Sequence, residues 1–274
     1  MAITIDLKQK AVLITGGTRG LGRAMGLEFA RAGASVFLTH RWGSTDEEEL
    51  IADFTKEGLD APHILEADVS DGEATRELLG IVRERAGELH TIVSNVAFSK
   101  VVNELSDLKK KTLDLSLSYS AWPLVDLVQA SEEVFGRYPR YVIGVSSDGG
   151  EVCHAGYDFA GASKAVLETL IRYLSLRLKE HGTRVNALRP GFLDTDSSRA
   201  TFGSENVDRL AEERPGLFLD PRGVARTAVG IASGCFDAVT GQVIVVDEGW
   251  SHVSPMSLVA GVGLPGAFPE GESS

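Results

Sequence analysis

The run Thr15-Gly16-Gly17-Thr18-Arg19-Gly20-Leu21-Gly22 follows a short apolar stretch and precedes an amphipathic one, Ala24–Ala32. Glycines at 16, 20 and 22 permit a tight turn and let the backbone approach a pyrophosphate. They also set a helix N-terminus behind it, where unpaired N–H groups and the helix dipole favour an anion. Such a loop is a weak signal alone, but between a strand and a helix it predicts a dinucleotide site. Nearby charge bears on which dinucleotide. A site for a free ribose hydroxyl usually ends its second strand in a carboxylate, whereas a 2′-phosphate needs cationic, fork-shaped donors. The second strand here ends Thr39-His40-Arg41 and the loop adds Arg19, so two arginines without a carboxylate at the strand end predict NADPH (NADP).

The elements that must position this loop are legible as short apolar runs alternating with longer amphipathic segments, the pattern of βαβ units feeding a parallel sheet. Seven strands are expected, near Lys10–Thr15, Ser35–Thr39, His63–Ala67, Thr91–Ser94, Tyr141–Ser146, Arg184–Arg189 and Gln242–Asp247. The fold class is α/β: a Rossmann-type, doubly wound, parallel seven-stranded sheet with helices on both faces, in a single domain over residues 1–274. From Tyr157 onward, Leu167, Leu170, Ile171, Leu174 and Leu178 recur at three- and four-residue steps, predicting a long helix. Arg199–Pro215 is polar and interrupted and reads as a loop with a short helix, part of a substrate loop near 194–215. An extended C-terminal tail is expected from about Ser254.

A formal net charge of -12 and a pI near 5.0 argue against nucleic-acid or anionic-membrane partners, which are bound through clustered Lys and Arg. Ala11–Ile14 and Val243–Val246 are far too short to span a bilayer, which takes about 20 residues as a helix, and read as buried strands. Two cysteines, Cys153 and Cys235, and a start without a basic-then-apolar pattern predict a reduced, cytoplasmic setting. His154 and Cys153 show no metal spacing. Phe98, Trp122 and Phe192 are candidates for a substrate pocket, as are the segments Phe98–Leu105, Glu151–Gly156 and Asp194–Pro215.

The loop spacing TGxxxGxG resembles that of the short-chain dehydrogenase/reductases, and the resemblance covers roughly residues 8 to 250. Asp68-Val69 after the third strand matches the family's adenine-contacting pair. Ser94-Asn95-Val96-Ala97 stands where the family has Asn-Asn-Ala-Gly, and Pro190-Gly191 followed by Thr195 matches the segment that meets the nicotinamide. The resemblance implies that Gly16, Thr18, Arg19, Gly20, Leu21, Gly22, Arg41, Asp68, Val69, Asn95, Val96, Ala97, Lys164, Pro190, Gly191 and Thr195 bind the cofactor. It also implies a homotetramer or homodimer, formed partly through long helices such as Tyr157–His181.

The family uses a tyrosine as acid, with a lysine beside it that lowers the phenol pKa and holds the cofactor ribose. Lys164, in Gly161-Ala162-Ser163-Lys164-Ala165, matches that lysine, but Ala160 occupies the usual tyrosine position four residues earlier. Tyr157 stands seven residues before Lys164, and this Tyr-x6-Lys pattern is similar to that of bacterial enoyl-acyl carrier protein reductases. On one helix face the two would be about 10.5 Å apart along the axis, against about 6 Å for the ordinary spacing. Ser147 falls at the family's catalytic serine, where many enoyl reductases have a second tyrosine. Ser116 replaces the helix asparagine of the family's proton relay. The resemblance therefore implies hydride transfer to an enoyl thioester, with Tyr157 stabilising the enolate oxygen, Lys164 supporting it and Ser147 assisting. A ketoreductase or alcohol dehydrogenase of secondary metabolism, and a catalytically inactive cofactor-binding protein, are the alternatives.

Overall fold

Ala-Val-Leu-Ile at 11–14 buries every side chain, as a strand covered on both faces of a parallel sheet must. In the computed structural model, which describes residues 5–41, 46–98 and 100–254, these four residues form β1 (Ala11–Ile14). There follow α1 (Gly20–Arg31), β2 (Ser35–His40), α2 (Glu47–Lys56), β3 (His63–Glu66), α3 (Gly72–Ala86), β4 (Thr91–Ser94), α4 (Lys110–Ser120) and α5 (Trp122–Phe135). The second half comprises β5 (Tyr141–Val145), α6 (Asp158–Arg177), β6 (Arg184–Pro190), α7 (Asp196–Phe202), α8 (Ser204–Glu213), α9 (Pro221–Ala232) and β7 (Val243–Val246).

All the strands pair in parallel, in the order β3-β2-β1-β4-β5-β6-β7. The order reverses between β1 and β4, which opens a crevice at the carboxyl ends of those strands. Helices α1, α2 and α9 cover one face, with Met25, Phe29, Phe54 and Val224 in a common core. Helices α3, α5 and α6 cover the other, through Leu78, Val82, Leu127, Leu167 and Ile171. The seven expected strands and the doubly wound arrangement are therefore present.

Three expectations change. Residues 196–213 form two helices instead of one short one. Thr195 caps α7 by accepting from Ser198 N, and Gly203 at φ +84° separates α7 from α8, so local capping chemistry makes helix out of a polar stretch. β7 is only half-buried, with Val245 exposed, because it is the edge strand beside β6 alone. The long helix ends at Arg177, and a separate 3-10 turn, Lys179–His181, stops at Gly182 with φ +75°. The extended tail expected after Ser254 lies outside the described residues.

α1 is seated on the end of β1 by a close backbone approach. A Cβ on Gly22 would lie 2.3 Å from Gly16 O and 2.9 Å from Gly17 Cα, and neither backbone atom has slack to yield. Gly22→Ala should thus cost about 1–3 kcal/mol of stability by overpacking and weaken dinucleotide binding in the same variant. Thermal unfolding and cofactor titration check this; wild-type values for both would mean the loop tolerates a wider opening.

Candidate active site

The glycine loop is held from below by Asn95. Its Nδ2 donates to Thr15 O (3.1 Å) and Gly16 O (3.0 Å), while its backbone N–H donates to Thr15 Oγ1 (3.0 Å). Gly16 and Gly20 take φ +60° and +52°, a region open to glycine. The first turn of α1 contains no acidic residue, and Arg19 at its N-cap makes no side-chain capping bond. A cradle with no room for a Cβ at Gly22 and an uncapped helix start behind it fit a dinucleotide pyrophosphate. Leu21 points into the core and can offer such a ligand only its backbone. Val96 packs against Gly16, and Thr195 Cγ2 lies 3.6 Å from where a Gly20 Cβ would stand, so β4 and the start of α7 flank the loop.

Arg41 does not stand apart from carboxylates. The parallel register of β2 and β3, His40 opposite Glu66, carries Asp68 up beside it, and Arg41 Nη2 lies 2.7 Å from Asp68 Oδ2. Tyr119 of α4 hydrogen-bonds Arg41, donates to Asp68 Oδ2 (3.3 Å) and holds the guanidinium over its ring. Asp68 also accepts from Ser70, and Val69 is buried. A strand read alone could not reveal this acid, because it comes from the neighbouring strand.

On the other side of the crevice, a pocket of about 140 Å³ is lined by Ser147, Asp148, His154, Tyr157, Pro190–Leu193, Thr195 and Phe202, among others. Tyr157 precedes α6 as its N-cap, with a backbone conformation (φ -97°, ψ 12°) that is not helical. Its ring lies on Gly149, where a Cβ would be 2.4 Å from Tyr157 Cε1, and stacks on Phe202 at 5.7 Å. Burial pushes the Tyr157 phenol pKa up, a hydrogen bond with Ser147 opposes this, and the Asp148 charge adds to it. The phenol is therefore held protonated at neutral pH.

Lys164 is brought close in sequence but is turned elsewhere. It lines neither this pocket nor the larger cavity described below; its Nζ donates to Val145 O (2.7 Å) beneath the end of β5. Tyr157 stands just before the helix that carries Lys164, and its carbonyl accepts the first helical bond, from Gly161 N–H (2.7 Å). Around the lysine lies a charge cluster with no sequence signal beyond an i, i+4 acid. Glu168 accepts from Ser146 Oγ (2.6 Å) and pairs with Arg189 through Nε and Nη2 at 2.7–3.0 Å, both side chains buried. Arg189 reaches Glu151 as well (2.7 Å).

A second cavity, about 910 Å³, adjoins the first across His154, Phe192 and Phe202, with Val101, Leu105, Leu108, Leu210 and Phe218 in its wall. The three expected pocket segments contribute to it. Of the expected aromatics only Phe192 does: Phe98 packs on Tyr119, and Trp122 is exposed at the start of α5. Ser116 is fully buried, and its hydroxyl has no hydrogen-bond partner among the described residues. No group of three potential metal ligands occurs among the described residues, nor any helix long and apolar enough to cross a membrane.

The glycine loop and the pocket holding Tyr157 and Ser147 thus flank the switch point of the parallel sheet. Residues 16–251 match the family described as enoyl-(acyl carrier protein) reductase. The chain is 30% identical over 259 residues to the 1-cyclohexenylcarbonyl-CoA reductase of Streptomyces collinus, covering 92% of this chain and 90% of that one. It is 25% identical over 241 residues to a 3-oxoacyl-acyl-carrier-protein reductase of Staphylococcus aureus, covering 88% and 97%. Its fold is similar to that of the Bacillus cereus enoyl-acyl carrier protein reductase solved with NADP+ and indole naphthyridinone, with a TM-score of 0.79, 24% identity and coverage of 90% and 98%. The chain belongs to the short-chain dehydrogenase/reductase family and is an oxidoreductase.

Burial pulls the Lys164 pKa down to about 8, with Glu168 opposing. Between that value and the ordinary 10.5 the unfolded chain binds a proton that the folded one does not, so stability rises with pH across this window. Below it, burying the ammonium costs on the order of 3 kcal/mol. Lys164→Met should accordingly raise the melting temperature at pH 7 and flatten the rise between pH 8 and 10.5. Calorimetry across pH reads both; a variant melting below wild type would show that the ammonium stabilises the fold.

Proposed function

We propose that the protein is an NADPH-dependent reductase of an enoyl thioester, with Tyr157 meeting the thioester oxygen. The observation that carries this reading is the position of the phenols. Tyr157, seven residues before Lys164, lines the pocket with Pro190, Gly191 and Thr195, whereas Ala160, at the usual spacing of four, is buried and has no hydroxyl. The family description and the 1-cyclohexenylcarbonyl-CoA reductase among the relatives support the same chemistry.

Gly16, Thr18, Arg19, Gly20 and Gly22, with Asn95–Ala97 and Asp68–Val69, would hold a dinucleotide, which would supply a hydride when bound. Addition at the β-carbon of a conjugated thioester gathers negative charge on the carbonyl oxygen. A neutral, desolvated phenol donates to that oxygen and is its nearest proton source, and Ser147 adds a second hydroxyl. The Lys164 ammonium has three donors, one of them on Val145 O, so others are available for a ribose hydroxyl. The acyl group fits the larger cavity, along the apolar part of its wall formed by Val101, Leu105, Leu108, Leu210 and Phe218. Arg41 and Arg19 support the choice of NADPH, with Tyr119 and Asp68 fixing the Arg41 guanidinium in place. Assembly as a homodimer or homotetramer through α6, which exposes Tyr173 and Leu176, belongs to the same proposal, as does a cytoplasmic setting for the exposed thiols Cys153 and Cys235.

Ser147 favours a second reading, carbonyl reduction, because it places a serine beside the phenol where an enoyl reductase often has another tyrosine. The two readings separate by substrate. NADPH should be oxidised with crotonyl or cyclic enoyl thioesters, and Tyr157→Phe should lower kcat by about 10²-fold or more. Turnover confined to 3-oxoacyl thioesters or ketones would transfer the protein to the ketoreductases, and a Tyr157→Phe variant as fast as wild type would remove the phenol from either chemistry.

Arg41→Ala should raise KM for NADPH at least about tenfold, the order expected from losing a charged phosphate contact, and leave KM for NADH nearly unchanged. Equal effects on the two cofactors would mean that Arg41 serves Asp68 and not a 2′-phosphate.

A further inference from the structure

Hydride reduction of either substrate takes up one proton from solvent in each turnover, so a phenol that gives its proton away must be recharged. The helical polar position at Ser116 offers no connected route, since its hydroxyl is fully buried and unbonded, and Lys164 Nζ is directed at Val145 O. A different set of groups leads away from the phenol. Ser147 lines the same pocket as Tyr157 and donates to Asp148 Oδ1 at 3.1 Å. Asp148 Oδ2 lies 3.0 Å from His154 Nε2, at ion-pair distance but off the line of a hydrogen bond, so that this buried nitrogen has no hydrogen-bond partner among the described residues. Buried polar atoms left unpaired are rare in folded proteins and call for a use.

His154 also has the right surroundings for such a use. It lines both the pocket that contains Tyr157 and the larger cavity, and is the titratable side chain common to the two. The rings of Tyr157, Phe192 and Phe202 stand edge-on to it at 5.8–6.0 Å and hold the imidazole between the cavities. The charged groups lining the two cavities are Asp148, Glu104 and Asp158, all of them carboxylates, so no cation competes with an imidazolium there.

We infer that His154 and Asp148 are relay residues that return a proton from the larger cavity to Tyr157 through Ser147. This rests on the reading of Tyr157 as the proton source. After the phenol has given its proton to the substrate oxygen, the Ser147 hydroxyl protonates the phenolate, the Asp148 carboxyl protonates Ser147, and the His154 imidazolium protonates Asp148. Water in the larger cavity then protonates His154. One proton enters for the one consumed, and no redox change occurs along the chain.

The test compares His154→Ala, His154→Gln and Asp148→Asn with Tyr157→Phe, using NADPH and whichever thioester wild type turns over. The expected result is a fall in kcat of about tenfold or more in the first three variants, with KM for the thioester within about threefold. The solvent deuterium isotope effect on kcat should grow, and added imidazole should restore His154→Ala but not Asp148→Asn. His154→Gln fills the space without carrying a proton, so it decides the matter if the alanine variant does not fold. Wild-type kcat in His154→Gln or Asp148→Asn would overturn the relay, as would a loss in His154→Ala that imidazole does not repair. If those results accompany a collapse of activity in Tyr157→Phe, the relay alone falls; an unimpaired Tyr157→Phe overturns the earlier reading and the relay together.

Discussion

Three charged side chains buried between α6 and the ends of β5 and β6 constrain everything above them. Lys164, Glu168 and Arg189 are each nearly inaccessible, and a buried charge without a partner costs several kcal/mol. Glu168 and Arg189 meet through paired hydrogen bonds, Ser146 occupies another acceptor site of the carboxylate, and Lys164 takes the carbonyl of Val145. Each of these bonds ties α6 to a strand end. The chain leaving β5 at Ser147 and the chain leaving β6 at Gly191 are thereby fixed relative to the start of α6, where Tyr157 sits. Removing Glu168 or Arg189 would leave the other charge buried without its pair, so the cluster is better understood as setting the geometry of the pocket than as a source of net stability.

The opposite wall of the crevice is fixed by neutral hydrogen bonds instead. Asn95, at the end of β4, satisfies two carbonyls of the glycine loop that no strand could reach, and Thr15 Oγ1 accepts its backbone N–H in return. This side has to leave the N-terminus of α1 free for an anion, and a carboxylate in its first turn, of which there is none, would compete with the ligand. One wall thus concentrates charge under the reacting end and the other keeps its donors open for phosphate, and the reversal of strand order between β1 and β4 lets the two walls face each other.

The fold was readable because burial on both faces leaves uninterrupted apolar runs, and Ala11–Ile14, Thr91–Ser94 and Tyr141–Val145 have nearly the ends that their residues suggest. The glycine loop was readable because its conformation demands glycine at Gly16 and Gly20 and its packing demands it at Gly22. What escaped the sequence depends on contacts between elements. The Glu168–Arg189 pair spans 21 residues, and in a one-dimensional reading Glu168 is merely an acid one turn after a lysine. Asp68 reaches Arg41 only through strand register. Helices α7 and α8 owe their existence to Thr195 and Gly203, single residues whose effect outweighs the polar composition around them.

The spacing of Tyr157 and Lys164 leaves out the turn on which the phenol lies. Tyr157 stands just before α6, with its ring laid on Gly149 and 3.9 Å from where a Gly161 Cβ would stand. Ser147 and Asp148 line the pocket beside it. A phenol with a nearby cation is tuned toward ionisation, whereas one that is partly buried beside a carboxylate stays neutral. On the proposed chemistry that difference matters: stabilising a developing enolate requires a donor that keeps its proton until the charge arrives, and the surroundings of Tyr157 favour that state over the ionised one.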